Sequence, residues 1–363
     1  WSLAAAAVVA LGAWLLGLRY PAEEAPGAVK ASPPAVVNVG QLVGLGRAEA
    51  VAALAEAARR TGIVRLANHS IDVEAARTAG RAYFDLPLEQ KACAACSLRN
   101  ASVGFQRGYI PFAAESGLAD VLEVKEGFSY GFEWPPDRPQ GHPFQAANAW
   151  PPAAAQEALG PGWRKTMQAF FTDTVRIASE VAATLGEALG DAERGAALPG
   201  LCESGDTISQ MRMFHYLPPP PESTKRCMGS SPHTDWHVVT IIARDAASRL
   251  QYVDRYTGGW MDVLAEPGEL ILLVGDWLAS LSDNELHAPA HRVLSPESQS
   301  SLAFVLFFYP SPDARLPPRR SGAAATNVGL SGGGKLNTLE DSMFELPWGD
   351  YVVQKWIKVM SNR

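Results

Sequence analysis

Cysteine is scarce, with four residues in a chain of 363, too few for a disulfide-built scaffold. Cys93-x-x-Cys96 has the spacing of half a zinc or redox site, but no second pair at zinc spacing completes it. Charge imbalance is small too. The 31 basic against 38 acidic side chains leave a net −7, which implies no polyanionic partner such as nucleic acid. A long uncharged apolar run is present at Leu3–Leu18. It is long for a signal-peptide core and slightly short for a spanning helix. A Pro- and Ala-rich linker follows, from Pro21 to Pro34. Residues 1–34 therefore read as a leader plus linker. Membrane association through residues 3–18, a secretory signal and an organelle transit segment all stay open, with the cytoplasm as the location if the run has no such role. The sequons at Asn68 and Asn100 matter only in a secretory protein, and Asn68, closing an apolar strand, reads as structural.

What is present is ample apolar content, 47% of residues, enough for one large domain or two small ones. Helical spacing runs over Arg47–Arg60, Val73–Phe84, Trp163–Leu189 and Tyr351–Met360. Short strands are expected at Val36–Val39 and Gly62–His69. The stretches around Arg107–Pro111 and Lys125–Gly131 read as irregular and aromatic, and Gly332–Gly334 as a loop. From Ile208 to Pro310 the texture changes to a series of short strands: Ser209–Tyr216, His237–Ala243, Leu250–Val253, Trp260–Val263, Leu270–Val274, His291–Leu294 and Ser301–Tyr309. That spacing predicts a sandwich or jelly roll.

The chemistry gathers at Pro232-His233-Thr234-Asp235-Trp236. In an extended segment residues i and i+2 share a face, so His233 and Asp235 aim an imidazole and a carboxylate at one point. His291, 56 positions beyond Asp235, supplies a third ligand from a distant strand. Two His and one carboxylate with open positions suit a non-haem Fe(II) that also holds O₂ and an organic ligand. His237 lies on the same alternation. His287 is the rival to His291, but Ala288-Pro289-Ala290 interrupts the strand between them. No Glu or His stands near the triad in a general-base pattern, which argues against a zinc hydrolase.

Many ordered matches carry a resemblance to the isopenicillin-N-synthase-like Fe(II)/2-oxoglutarate-dependent dioxygenases. In the N-terminal part they are Gly62 to Ser70, Phe84 to Lys91, Arg107-Gly108-Tyr109, Lys125-Glu126 and Asn148-x-Trp150-Pro151. In the core they are Pro232 to Asp235, Leu250-Gln251, Gly275-Asp276-x-Leu278, Leu281-Ser282, His291-Arg292-Val293 and Phe307 to Pro310. The resemblance implies an α+β fold with a double-stranded β-helix (jelly-roll) core flanked by helices. An N-terminal α/β cap region at 35–160 would precede a core at 161–310 and a C-terminal loop and helix at 311–363. It implies Fe(II) on His233, Asp235 and His291, with 2-oxoglutarate and O₂ as cosubstrates. The activity implied is hydroxylation, desaturation or cyclisation of a small organic molecule by a monomer. Substrate contacts are expected from Tyr109, Phe128, Tyr130, Trp236 and His237.

The chain departs from the pattern at the far end of the cosubstrate site. The family's Arg and Ser two residues apart on the last core strand are here Ser301 and Ala303, and Phe214 stands where Asn is usual, although Tyr216 is kept. A relocated cation such as Arg212, Arg244 or Arg249 would restore the site. The alternatives are a 2-oxoglutarate-independent Fe(II) oxidase and a non-catalytic jelly-roll ligand-binding protein.

Overall fold

The computed structural model describes residues 33–93, 96–99, 105–116, 120–191, 193–203, 207–320 and 342–361. The apolar leader, the Asn100 sequon and the Gly332–Gly334 loop lie outside the described residues. The N-terminal strands are β1 (Val36–Asn38), β2 (Ile63–Ala67), β3 (Ser97–Arg99), β4 (Gln106–Ile110), β5 (Val121–Glu123) and β6 (Lys125–Gly131). Then come β7 (Gln210–Tyr216), β8 (Arg226–His233), β9 (Val239–Arg244), β10 (Arg249–Val253) and β11 (Trp260–Asp262). The last three are β12 (Leu270–Val274), β13 (His291–Leu294) and β14 (Ser301–Phe308). The first helices are α1 (Arg47–Arg60), α2 (Val73–Phe84), α3 (Leu88–Lys91), α4 (Ala153–Leu159) and α5 (Trp163–Ala188). After these come α6 (Arg194–Glu203), α7 (Asp276–Leu281), α8 (Ser342–Glu345) and α9 (Trp348–Ser361).

One sheet runs β1-β2-β12-β9-β14-β7-β6-β4-β3 and the other β11-β10-β13-β8-β5. Their inner faces share an apolar cluster, with Phe214, Ile242, Ala303 and Val305 from the first sheet and Leu250, Tyr252 and Val293 from the second. This is the double-stranded β-helix, and helices α1, α2 and α5 pack on the larger sheet. Helix α2 is started by Asp72, whose carboxylate accepts from Ala75 N at 2.9 Å. It buries Val73, Ala76, Ala79, Gly80, Tyr83 and Phe84, a 3–4 spacing that gives one apolar stripe. Gly80 is required by close approach, since a Cβ there would stand 2.8 Å from the Phe304 ring on β14. Helix α5 buries Trp163, Met167, Phe170, Phe171, Thr174, Ile177, Ala178 and Val181 in the same manner.

Three differences from the sequence reading matter. The stretches at Arg107–Pro111 and Lys125–Gly131 are not irregular: they hold β4 and β6, which pair with each other and join β7. Strand β8 is an addition, and it carries the first histidine of the triad on its last residue. Cys93 and Cys96 are joined as a disulfide.

The face each strand presents is set by register. Residues directly opposite on paired strands share a face. Across β6, β7, β14 and β9 the inward rows are Lys125–Tyr216–Ser301, then Gly127–Phe214–Ala303–Arg244, then Ser129–Arg212–Val305–Ile242, then Gly131–Gln210–Phe307–Thr240.

Candidate metal centre

His233 ends β8 and lies opposite His291, the first residue of β13, with ring centroids 4.3 Å apart. Asp235 follows in the turn toward β9. Its Oδ1 stands 3.7 Å from His233 Nε2 and its Oδ2 3.7 Å from His291 Nε2. One donor atom from each of the three lies within 4.8 Å of the other two, and this is the cluster of metal-ligand type found among the described residues. The donor set and its convergence fit one Fe(II).

Each ligand side chain is held from behind. His233 Nδ1 lies 2.7 Å from Ser231 O, and His291 Nδ1 lies 3.2 Å from Pro289 O. A carbonyl only accepts, so Nδ1 carries the proton in both rings and Nε2 presents its lone pair to the common point. Burial pushes the His291 imidazole down to about 4, helped by the neighbouring His233, so it is neutral near pH 7. Burial works to raise the Asp235 carboxyl, but His291, His237, His233 and the Thr240 hydroxyl outweigh it and hold the group below its ordinary range. The Thr240 hydroxyl donates to Asp235 Oδ2. The turn itself is pinned by α7: Asp276 N donates to Asp235 O at 2.7 Å, Trp277 N to Trp236 O at 3.1 Å, and the Thr234 hydroxyl to Asp276 Oδ2 at 2.9 Å. Nothing local in the sequence marks Thr240 as a support; its signal is its inward place on β9, five residues after Asp235.

Exposure orients the site. The His233 side chain is 36% exposed, whereas those of His291 and Asp235 are 5% and 6%, so the triad opens on the His233 side. His237 is buried beside it, its ring 5.1 Å from Phe307 and 5.4 Å from Tyr309. Trp236 lies against Trp356 of α9 at 5.9 Å, and Arg212 stacks 5.2 Å from the same indole. His287 is not at the centre. Its backbone N bonds Ala58 O, and burial with Arg255 nearby pushes its imidazole down to about 4.

Tyr109, Phe128 and Tyr130 are not in the pocket. They project from the outer face of β4 and β6 into the helix layer, where Phe128 meets Tyr83, Trp150 and Trp163, and Tyr130 meets Trp150 and Phe171. The Tyr109 hydroxyl donates to Glu126 Oε2 at 2.8 Å. The reason is the two-residue alternation of a strand: the inward residues of β6 are Lys125, Gly127, Ser129 and Gly131.

At the far end of the inner face, Ser301 Oγ is buried beside Tyr216, without a hydrogen-bond partner among the described residues. Of the three cations expected to replace the lost arginine, Arg249 is exposed and pairs with Glu297 at 2.9 Å. Arg212 pairs with Glu115 and lies two rows toward the metal end. Arg244 donates to the carbonyls of Asp245, Ser248 and Val263 at 3.4, 2.6 and 2.6 Å.

Comparison with known proteins agrees with this geometry. Residues 36–153 match the family described as non-haem dioxygenase in morphine synthesis N-terminal, and residues 208–310 match the 2OG-Fe(II) oxygenase superfamily. The 2-oxoglutarate-dependent dioxygenase citB of Monascus ruber is 29% identical over 271 residues, covering 71% of this chain and 78% of that protein. The 2-oxoglutarate-Fe(II) type oxidoreductase hxnY of Emericella nidulans is 29% identical over 280 residues, covering 74% and 76%. Among solved structures, a full-length Neurospora crassa protein in complex with alpha-KG superposes with a TM-score of 0.67 at 20% identity, over 93% of this chain and 99% of that one. The rice dioxygenase for auxin oxidation gives 0.55 at 23% identity, over 78% and 85%. The chain belongs to the 2-oxoglutarate/Fe(II) oxygenase superfamily, in its isopenicillin-N-synthase-like branch. It is an Fe(II)-dependent oxidoreductase of the 2-oxoglutarate-dependent dioxygenase class.

Proposed function

We propose that His233, Asp235 and His291 hold the catalytic Fe(II) and that the enzyme oxidises a small organic molecule admitted on the His233 side. The observation that carries this reading is the convergence of three donor atoms within 4.8 Å, with both imidazoles fixed through Nδ1 to backbone carbonyls. When bound, Fe(II) with 2-oxoglutarate and O₂ supplies an oxidant strong enough to remove hydrogen from carbon.

The chain's own residues do the rest. Thr240 and the α7 N-terminus hold Asp235 in register with the two imidazoles. Burial of His291 and Asp235 keeps water from one side of the centre. Trp236, His237, Phe307, Tyr309 and Trp356 give the other side an aromatic, shape-selective lining. Relatives carry names such as clavatol oxidase (Penicillium crustosum) and azadirone synthase (Melia azedarach), which supports a small organic substrate here. We also assign residues 1–34 to targeting or membrane association, on the apolar run at Leu3–Leu18 and the linker after it. Among the described residues no helix is long and apolar enough to cross a membrane.

The test is anaerobic Fe(II) titration followed by O₂ uptake with and without 2-oxoglutarate. Stoichiometric Fe(II) binding and 2-oxoglutarate-stimulated uptake are expected. Fe(II) binding that survives replacement of Asp235 by Ala would remove the ligand assignment, and uptake indifferent to 2-oxoglutarate would favour the oxidase alternative.

A further inference from the structure

We propose that the far carboxylate of 2-oxoglutarate is held by Lys125 on β6, with the hydroxyls of Ser301 and Tyr216, in place of the arginine this chain lacks. The inference rests on the cosubstrate reading above and concerns only which residues of this chain serve it.

Lys125, Tyr216 and Ser301 occupy one inward row on three adjacent strands. Lys125 stands two strands from the position the family's arginine takes, about 10 Å at the usual strand spacing. From the corner where β5 passes into β6, Lys125 Nζ reaches Ser230 Oγ on β8 at 2.9 Å and stands 4.8 Å from the Phe214 ring on β7. Gly229, the neighbour of Ser230, stands against the Tyr216 ring. Tyr216 thus stands between Lys125 and Ser301 in the row.

Two further facts point to a ligand here. Ser301 Oγ, on a residue only 2% exposed, has no partner among the described residues. A buried hydroxyl without a hydrogen bond is costly. Among the described residues Lys125 also has one donor to spare. An ammonium has three N–H groups; one meets Glu123 Oε2 at 2.9 Å and one meets Ser230, while the amine stands 4.8 Å from the Phe214 ring. Glu123 is itself shared, its other oxygen accepting from Ser231 N at 2.8 Å. The rival cations are worse placed: Arg212 lies two rows away, Arg249 is exposed, and Arg244 donates to three carbonyls.

The experiment compares two 2-oxo acids that differ only at the far end. 2-Oxoglutarate and 2-oxopentanoate are titrated calorimetrically into Fe(II)-loaded protein without O₂, so binding is read rather than turnover. Wild type is expected to prefer 2-oxoglutarate. Lys125→Met should weaken 2-oxoglutarate roughly 10- to 100-fold, the range of one charge-assisted hydrogen bond, and leave 2-oxopentanoate nearly unchanged. Ser301→Ala should show the same selectivity with a smaller loss. If Lys125→Met does not fold because Glu123 is left unpaired, Lys125→Met with Glu123→Gln removes both charges and should show the same differential. Equal losses for the two acids, or full 2-oxoglutarate affinity without Lys125, would overturn the proposal. A wild type that binds both acids alike overturns only the anchor; one that binds Fe(II) but neither acid overturns the cosubstrate reading itself.

Discussion

His233 and His291 face each other across two strands, yet they stand in different surroundings. One is a third exposed and the other is almost fully buried. Their replacements should separate metal binding from folding. His233→Ala is expected to abolish Fe(II) binding while changing apo-protein stability by less than about 1 kcal/mol, as at other partly exposed sites. His291→Ala should lose metal and also cost about 1–3 kcal/mol, because it empties a buried position and orphans its hydrogen-bonding neighbours. His287→Ala should keep the metal. Urea melts without metal, beside Fe(II) titrations, would check all three, and retained metal in His291→Ala would exclude it as a ligand. A second residue-scale case is Glu126, which accepts from Lys91 at 3.1 Å, Tyr109 at 2.8 Å and His215 at 3.1 Å. Burial acts to raise its pKa, but these partners win and hold it below the ordinary carboxylate range. A lowered folded-state value means stability that is present above the unfolded pKa, about 4.3, and lost as pH falls through the folded one. Glu126→Gln should therefore cost about 2–3 kcal/mol at pH 7, and the difference from wild type should shrink in melts taken progressively below pH 4. A constant difference at every pH would show that the charge is not what stabilises the cluster.

At the level of elements, the legible parts were those with one wet face. Helices α1 and α2 begin and end where their apolar spacing does, Arg47–Arg60 and Val73–Phe84, because one stripe meets the sheet and the other meets water. Strand β6 offers no such contrast. All seven of its residues are buried, so polar Lys125, Glu126 and Ser129 sit inside alongside Phe128 and Tyr130, and the period of two is hidden. The family resemblance offered Phe128 and Tyr130 as pocket residues, and no visible alternation marked them as facing the helices. Phe128→Ala should accordingly cost about 3–5 kcal/mol of stability while leaving Fe(II) affinity unchanged. A folded Phe128 variant of normal stability with altered substrate selectivity would contradict that placement. Strand β8 was obscured for another reason: Arg226–His233 is mostly small and polar, with a Pro before the histidine, and only its pairing with β13 and β5 makes it a strand. The triad was legible through spacing plus resemblance. Its supports were only partly so, since Asp276 belongs to the Gly275-Asp276-x-Leu278 motif while the bond from Thr240 to Asp235 depends on two segments meeting in space.

For the molecule as a whole, the larger sheet ignores the order of the chain. Strands β1 and β2 dock beside β12, while β3, β4 and β6 extend the opposite edge beyond β7. Because Pro34 and Val37 are already buried against this assembly, removal of residues 1–32 marks the limit of a harmless truncation. Such a protein should unfold cooperatively with an unchanged midpoint, and a broad, non-cooperative transition would make the leader part of the fold. The placement of β2 has a further consequence, for synthesis. Leu66 pairs with Leu270, 204 positions later. At the usual 5–20 residues per second, a ribosome makes the partner strand roughly 10–40 s after the first. Until then β2, apolar on both faces with Ile63, Val64 and Leu66 fully buried in the finished protein, has an open edge toward any other extended chain. Nascent molecules should therefore need a chaperone over that interval, and the yield of soluble enzyme should rise when translation is fast relative to aggregation.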